Sequence, residues 1–421
     1  MKLCLRLLCI HQKKFLAKKG KRKRLKRRNS ILCPHPAPIY IPLDLQISTL
    51  LRLPVKSLLR FRCVSKLWSS ITTSQYFKKQ HLNITSSSAP PRLLIAFQDF
   101  HGKKLMLVSL PNPYVSSSSS SSSSCCVPYK DLNVFKINGK LVYNAVRGLI
   151  CISRLSMGIC NPSTRQLQFF PQLKYKEDPK LFTCPNYFVG YDSIEDQYKV
   201  LAIDRFHLRM EHKILLLGRE EAWREAPCVA CPHVSHTSGL YMNGTLYYGA
   251  SRTDIDPRNN NSIIVSFDVR LETFKIINVP SKVLPMGYEN MWLAERWRNL
   301  TDKTLINYKG KIGVVENARQ GSFRMWVVED AEKEEWSMNT FYLPQSADGL
   351  DFNIMDTFYT GEICLVPKEL TDPFSLFYYN LEKNSMRNVI IEGLPVCKLK
   401  RAQKISVTVS DHYENFMSLE T

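Results

Sequence analysis

A compact group of cysteine and histidine residues is the strongest candidate for metal chemistry in the sequence. Its members are Cys228, Cys231, His233 and His236. Thiolate and imidazole groups are the ligands of tetrahedral zinc, but structural zinc sites usually separate two ligand pairs by about a dozen residues or more. This group has no such separation and is flanked by Pro227 and Pro232. We therefore expect a loop with free thiols, and no bound metal or cofactor.

Two pairs of carboxylates have residue types suited to general acid–base chemistry: Asp254 with Asp256, and Glu220 with Glu221. Such chemistry needs one carboxyl with a raised pKa inside a closed pocket, whereas both pairs lie in polar segments typical of solvated loops. The sequence also lacks nucleophile-elbow, P-loop, dinucleotide-binding and zinc-protease motifs. We therefore expect the protein not to be an enzyme.

Most of the formal net charge of +21 lies in one segment. Residues 1–30 contain thirteen Lys or Arg and no Asp or Glu, so the rest of the chain carries a net charge of only +8. A segment this basic repels itself and has little apolar surface to bury. We expect residues 1–38 to be a disordered basic arm and a Pro-rich linker. The predicted nuclear-localisation residues are Lys18, Lys19, Lys21, Arg22, Lys23, Arg24, Lys26, Arg27 and Arg28.

The cysteine content and the hydropathy pattern indicate a reducing compartment. The thirteen Cys are odd in number and scattered without a disulfide framework. No convincing cleavable signal precedes the chain's polar segments, and no stretch approaches the roughly 20 apolar residues that a membrane-spanning helix needs. We expect a nuclear and/or cytoplasmic protein without a membrane partner. Nucleic acid is not the expected partner, but a nucleic-acid-associated protein using the basic arm is the alternative function.

Residues 41–71 are the one stretch with a helical apolar pattern. Pro42 and Asp44 suit a helix start, and Pro54 ends the first helix and can open the second. A third helix is expected to begin near Ser65. A module of this size is below the length that usually folds alone, and its apolar content favours burial against a partner. A helical cap packed on a second domain is the alternative.

From about residue 84 onward, short strand-like runs alternate with turn signals, which predicts an all-β domain. Asn-Gly turns before Lys140 and Thr245 predict hairpins, and similar units recur along the chain. The recurrence favours a propeller-like domain of short antiparallel strands, with a β-sandwich pair as the alternative. The Ser-rich segment 115–127 is predicted to be a loop insertion.

The helical stretch resembles an F-box, as found at the front of a large plant family of F-box proteins. The matching segments are 41–45 and 52–66, then Trp68, with Phe77, Lys79, His81 and Leu82 as the tail. Ser48 and Thr49 replace the usual acidic and aliphatic residues. An unpaired Thr49 hydroxyl on an apolar face would cost about 1–2 kcal/mol.

The resemblance implies that this module binds the Skp adaptor of an SCF ubiquitin ligase, and through it a cullin-RING ligase. The residues expected at the Skp contact or in the module's own core are Ile41, Pro42, Leu43, Leu45, Leu50, Leu51, Leu53, Pro54, Leu58, Leu59, Val64 and Trp68.

The β tract is similar to the F-box-associated interaction domain of the same proteins. Matching pieces include residues 148–151, 161–166, 190–192, 196–200, 243–247, 266–270, 325–330 and 359–363. The implied organisation is a mainly β protein with a small α module: a three-helix F-box at 39–84, the β domain at 90–400 and a C-terminal tail at 401–421. The implied function is a non-catalytic substrate-recognition adaptor that binds a target protein for ubiquitin-dependent degradation.

Overall fold

The computed structural model describes residues 41–88, 90–99, 104–112, 124–128, 132–138, 141–153, 157–173, 185–203, 212–218, 222–227, 231–255, 262–280, 283, 303–347, 349–394, 405–417 and 419. The predicted basic arm and linker, with all nine nuclear-localisation residues, lie outside these ranges. The chain divides into one compact unit that ends at Ile84 and a second that begins at Thr85. No helix among the described residues is long and apolar enough to cross a membrane.

From residue 41 onward, where the structure describes it, the N-terminal unit contains four helices and not the three predicted. They are α1 (Leu43–Leu51), α2 (Val55–Phe61), α3 (Lys66–Thr73) and α4 (Gln75–Ser88). Pro42 and Pro54 precede the first two helices, and the Ser65 hydroxyl caps α3 by accepting from the Leu67 N–H at 3.2 Å. Ser74 then accepts from the Phe77 N–H, so a new helix starts where α3 stops. The predicted tail is therefore helical.

The described strands of the second unit form six sheets. Sheet 1 contains β1 (Arg92–Asp99), β2 (Lys104–Leu110), β4 (Asn133–Asn138) and β26 (Ile405–His412); sheet 2 contains β5 (Leu141–Val146), β6 (Leu149–Ser153), β7 (Met157–Asn161) and β8 (Gln166–Phe169); sheet 3 contains β9 (Asn186–Asp192), β10 (Gln197–Ile203), β11 (His212–Leu216) and β12 (Arg224–Glu225).

The remaining strands complete the other three sheets. Sheet 4 contains β13 (His233–Ser235), β14 (Leu240–Met242), β15 (Thr245–Arg252), β16 (Ser262–Asp268) and β17 (Phe274–Asn278); sheet 5 contains β18 (Lys303–Tyr308), β19 (Lys311–Glu316), β20 (Ser322–Asp330) and β21 (Glu335–Tyr342); sheet 6 contains β22 (Phe352–Thr357), β23 (Ile363–Pro367), β24 (Phe374–Asn380), β25 (Ser385–Ile391) and β3 (Ser124–Val127). A short 3-10 helix, Gln345–Ala347, links the last two.

These sheets close into a ring, which makes the unit a six-bladed β-propeller. Neighbouring sheets contact one another around the whole ring, through β1 with β5, β5 with β9, β9 with β15, β15 with β18, β18 with β22 and β22 with β26. A separate apolar cluster fills each of the six spaces between neighbouring sheets. A β-sandwich would have one core between two sheets, so that alternative is wrong and the propeller prediction is confirmed.

One turn recurs five times around the ring. An Asp or Asn side chain accepts hydrogen bonds from two following backbone N–H groups, and the residue four positions later has a positive φ. The pairs are Asn161 with Arg165, Asp192 with Asp196, Asp268 with Glu272, Asp330 with Glu334 and Asn380 with Asn384. Asx side chains stabilise such turns locally, which is why these segments were readable from sequence.

The C-terminal segment is not a tail, because it closes the ring. Strand β26 pairs antiparallel with β1 along its whole length, joining both ends of the domain in one sheet. Beyond it, Asn415 is buried and donates to the Arg147 carbonyl, and Asn161 donates to the carbonyls of Asn415 and Met417. The domain therefore extends past the predicted boundary at residue 400.

Two further predictions are corrected by the sheet assignments. Asn138 ends β4 in sheet 1 whereas Leu141 begins β5 in sheet 2, so the Asn138-Gly139 segment connects two blades and is not a hairpin. The predicted loop 115–127 ends in strand β3, which runs parallel to β25. The insertion thus adds a fifth strand to the outer edge of sheet 6.

Candidate functional site

The cysteine–histidine group does not form a metal site among its described members. Cys228 lies outside the described residues. The His233 ring donates from Nδ1 to the Cys231 carbonyl at 3.0 Å, and its Nε2 accepts from the Tyr248 hydroxyl at 3.0 Å. Burial lowers the pKa of His233 and so favours the neutral ring that this arrangement requires. No group of three metal-ligating side chains is present in the part of the chain that the structure describes.

Of the four carboxylates in the two candidate acid–base pairs, the structure describes Asp254, which forms a surface ion pair. Asp254 accepts a bidentate contact from the Arg252 guanidinium, at 2.7 and 3.0 Å. This contact lowers the pKa of Asp254, the opposite of what a general acid needs. Asp256, Glu220 and Glu221 lie outside the described residues.

The predicted Skp-contact residues separate into a buried group and an exposed group. Leu50, Leu53, Leu58 and Trp68 are buried, with Leu58 fully so. They hold the helical unit together, because removing a buried Leu side chain costs about 2–5 kcal/mol. These four residues therefore belong to the unit's own core.

Polar contacts fix the positions of the helices around this core. Gln46 on α1 donates to the Ile41 carbonyl and accepts from the indole N–H of Trp68, both at 2.8 Å. The His81 ring on α4 donates to the Leu53 carbonyl at 2.9 Å. The Trp68–Gln46 and His81–Leu53 bonds join residues that are 22 and 28 positions apart in the sequence. They give the surface a fixed shape, a role that the sequence did not assign to Gln46 or His81.

The exposed group presents apolar side chains to solvent. Leu43 and Leu45 at the start of α1 are 44% and 58% exposed, and Pro42 and Pro54 are exposed as well. Ile41, Leu51, Leu59 and Val64 are half-buried. Leu67, which the sequence did not predict as a contact, is 47% exposed at the start of α3. Its position two residues after the Ser65 cap, in the first turn of α3, was the available signal.

The Thr49 substitution carries no cost within the unit. Its side chain is exposed, and its hydroxyl donates to the Leu45 carbonyl one turn earlier at 2.7 Å. The predicted penalty of an unpaired hydroxyl on an apolar face therefore does not arise in this chain.

The helical unit is also strongly basic. Residues 41–84 contain seven Lys or Arg and one acidic residue, Asp44. Arg52, Lys56, Arg60 and Lys66 are exposed around the apolar positions. A surface of this kind is complementary to an acidic partner with apolar pockets.

Aromatic residues of the propeller are mainly structural. Trp326 is buried between sheets 4 and 5, where Trp336 packs against the same cluster. Trp292 and Trp297 lie outside the described residues. The prediction that interleaved aromatics belong to the core is confirmed for Trp326 and Trp336.

Comparison with known proteins gives the family of both units. The family model for the F-box domain matches residues 40–80, and the model for the F-box associated beta propeller domain matches residues 92–413. Putative F-box protein At3g47150 of Arabidopsis thaliana is 61% identical over 391 residues, which cover 92% of this chain and 99% of that protein. F-box protein DOR of the same plant is 36% identical over 378 residues, covering 85% and 90%.

These matches span both units in the order in which the structure shows them. F-box proteins are generally non-catalytic adaptors, and no enzymatic family is indicated. An F-box followed by this type of propeller is the organisation of a substrate receptor. The chain therefore belongs to the plant family of F-box proteins that carry an F-box-associated β-propeller.

Proposed function

We propose that this protein binds a Skp-type adaptor through its helical unit and holds a target protein on its propeller for ubiquitination. The observation that carries the first half is the separation of apolar residues in the helical unit. Leu58 and Trp68 stabilise the unit, whereas Leu43, Leu45 and Leu67 are left in solvent. Exposed apolar side chains on a rigid support are typical of a docking surface.

The basic surface of the helical unit supports the same partner class. With seven basic residues and one acidic residue in 41–84, association with an acidic adaptor is accelerated by electrostatic steering and weakened by salt. The apolar contacts supply the binding free energy and the charges set the rate of encounter.

The ligase mechanism requires no chemistry from this chain. Once both partners are bound, the target's lysines are held near the ubiquitin-conjugating enzyme, so that an encounter between separate molecules becomes an intramolecular step. Degradation of the target, and nuclear import through the basic residues from Lys18 to Arg28, are parts of the same proposal. Deletion of residues 1–30 tests the import step, and we expect the shortened protein to lose its enrichment in the nucleus.

The choice of variants that test adaptor binding follows from how deeply each apolar side chain is buried in the helical unit. Leu58 and Trp68 are poor choices because their truncation removes the core and unfolds the unit. The double variant Leu43→Ser/Leu45→Ser changes only half-exposed side chains. Each substitution removes about 1–1.5 kcal/mol of binding free energy, because the Leu side chain no longer buries apolar surface at the interface. We therefore expect affinity for a purified Skp adaptor to fall about 30-fold or more, as measured by isothermal titration calorimetry.

The matched control is Tyr76→Ser, which removes a side chain that is 68% exposed on α4 and outside the predicted contact set. Wild-type affinity of this control, together with an unchanged melting temperature for both variants, attributes the loss to the α1 surface. Wild-type affinity of the Leu43/Leu45 variant would refute the assignment of the docking surface.

A further inference from the structure

Among the described residues, the outer edge of sheet 5 has no strand paired with it. Strand β21 pairs with β20 along one side, and no strand in the described part of the chain pairs with its other side. The strand has eight residues, which extend about 27 Å. Its outward N–H and C=O groups therefore form a long row of hydrogen-bonding positions.

This edge lacks most of the features that usually protect an open strand. The irregularity in its pairing with β20 lies between Val328 and Asp330, at the Glu335 end of β21. Proteins protect such edges with short strands, Pro, bulges or charged side chains, especially Lys. Among the other outer strands, β8 and β12 have four residues or fewer, while β4 and β17 contain Lys136 and Lys275. By contrast, β21 contains no Lys or Pro and carries one charge, at Glu335.

An apolar stripe follows one face of the strand. Met338 and Tyr342 are 56% and 69% exposed, and they share a face with Thr340 because side chains alternate along a strand. The strand itself is held in place, since Trp336 packs between sheets 4 and 5 and Phe341 stacks on Phe323 at 5.2 Å. The stripe is thus a supported surface.

The turn before β21 is acidic. Residues 329–335 contain five carboxylates and one Lys. Glu329 is paired with Lys311, and Asp330 with Lys333, while Glu332 and Glu335 are exposed. In a chain with a net charge of +21, this end of β21 favours a basic ligand.

The protein already shows that an outer edge of this ring accepts an extended segment. Strand β3 pairs with β25 over the four residues from Ser124 to Val127, and the Glu392 N–H continues the ladder to the Val127 carbonyl. Sheet 6 thereby gains a fifth strand that sheet 5 lacks among the described residues.

We propose that β21 binds an extended segment of the target protein as the fifth strand of sheet 5. The segment presents alternating apolar side chains to Met338 and Tyr342, and Lys or Arg residues at the end beside Glu332 and Glu335. Backbone pairing supplies the docking and the alternating side chains supply selectivity, as in other strand-addition complexes. This assignment rests on the proposed function as a substrate receptor and gives the class of segment that the receptor recognises.

The test uses the full chain, with and without a Skp adaptor, and a fluorescent peptide as probe. The peptide matches β21 in length and alternates Val and Thr after a Lys-Arg end. In the variant Met338→Lys/Tyr342→Lys, charges on the edge are expected to weaken binding about tenfold or more, measured by fluorescence anisotropy. The matched control Ile194→Lys/Leu271→Lys alters side chains that are 66% and 67% exposed in other turns and is expected to bind the peptide normally.

Two further measurements distinguish strand pairing from nonspecific binding of the peptide. Methylation of alternate backbone nitrogens in the peptide removes ladder donors and is expected to abolish binding. The charge reversal Glu332→Lys/Glu335→Lys is expected to shift preference toward a peptide with a Glu-Glu end. The proposal would be overturned if the methylated and unmethylated peptides bound equally well. It would also be overturned if the Met338→Lys/Tyr342→Lys variant and its Ile194→Lys/Leu271→Lys control lost the same affinity for the peptide.

The same assay separates this inference from the proposed function. If the chain bound the peptide but not the adaptor, the docking edge would stand and the ligase role would fail. If it bound the adaptor but not the peptide, the edge assignment would fail alone. Dimerisation that the Met338→Lys/Tyr342→Lys variant removes would also overturn the proposal, in favour of edge pairing between two copies of this chain.

Discussion

Replacement of Asn415 by Ala is expected to weaken closure of the propeller. Asn415 is 2% exposed. Its Nδ2 donates to the Arg147 carbonyl at 2.9 Å and to the Tyr198 hydroxyl at 3.2 Å, and its Oδ1 accepts from the Met417 N–H at 2.7 Å. The side chain thus joins the C-terminal segment to blades 2 and 3.

The expected loss follows from these three bonds. Each contributes about 0.5–1.5 kcal/mol net, and more where a buried partner is left unpaired. Asn415→Ala should therefore reduce the free energy of unfolding by about 2–4 kcal/mol. At about 2 °C per kcal/mol for a large domain, the melting temperature in differential scanning calorimetry should fall by about 4–8 °C.

Two comparisons test whether the hydrogen bonds are the cause. Asn415→Asp retains the acceptor for the Met417 N–H but loses both donors and places a carboxylate oxygen against the Arg147 carbonyl in a buried site, so a melting temperature no higher than that of Asn415→Ala is expected. Asn339→Ala, at an exposed position on β21, should melt within about 1 °C of the wild type, as surface substitutions usually do. If Asn415→Ala matched that control, the reasoning that this segment closes the ring would be refuted.

Two other substitutions probe the same region of the ring. Gly148→Ala should destabilise the protein by more than Gly310→Ala, although both glycines have a φ of +83°. A Cβ at Gly148 would lie 2.2 Å from the Tyr413 carbonyl oxygen, whereas a Cβ at Gly310 would meet nothing within 4 Å. In chemical unfolding we expect Gly310→Ala to lose about 1 kcal/mol through backbone strain and Gly148→Ala to lose at least twice as much. Burial raises the pKa of Asp356 to about 6, so its contribution to stability is complete below the unfolded-state pKa and is lost as the pH rises through about 6. Asp356→Asn should therefore raise the melting temperature by about 2–4 °C at pH 8, after allowance for solvent screening, and by almost nothing at pH 4. Glu195→Gln, in an exposed turn, should change the melting temperature at neither pH. A larger rise at pH 4 than at pH 8 would contradict the conclusion that the buried carboxyl of Asp356 destabilises the protein when it is ionised.

Local sequence signals were sufficient for the elements whose contacts are local. The Asx turns could be read because the side chain and the N–H groups it accepts from lie within three residues, as in Asp192 with Ile194 and Glu195. Helix starts at Pro42 and Pro54 were readable for the same reason. The propeller was preferred over the sandwich because these turns recur along the chain.

The split of the F-box residues required the folded unit. Leu45 and Leu50 are the same residue type on the same helix, yet Leu45 is 58% exposed and Leu50 is 2% exposed. The spacing places them on different faces of α1, but it does not say which face meets α3 and α4. The packing of those helices decides which leucines form the core and which remain available to a partner.

By itself, the sequence determined the family, the order of a helical unit and a β domain, and the turns that repeat around the ring. These properties depend on contacts between residues a few positions apart. The tertiary structure alone decided how the ring closes, because Asn161 meets Met417 and β1 meets β26 across nearly the whole domain. It also decided that β3 covers the outer edge of sheet 6, whereas no described strand pairs with the outer edge of β21. No local pattern encodes such pairs, since the partner of each strand edge is chosen only when the blades assemble.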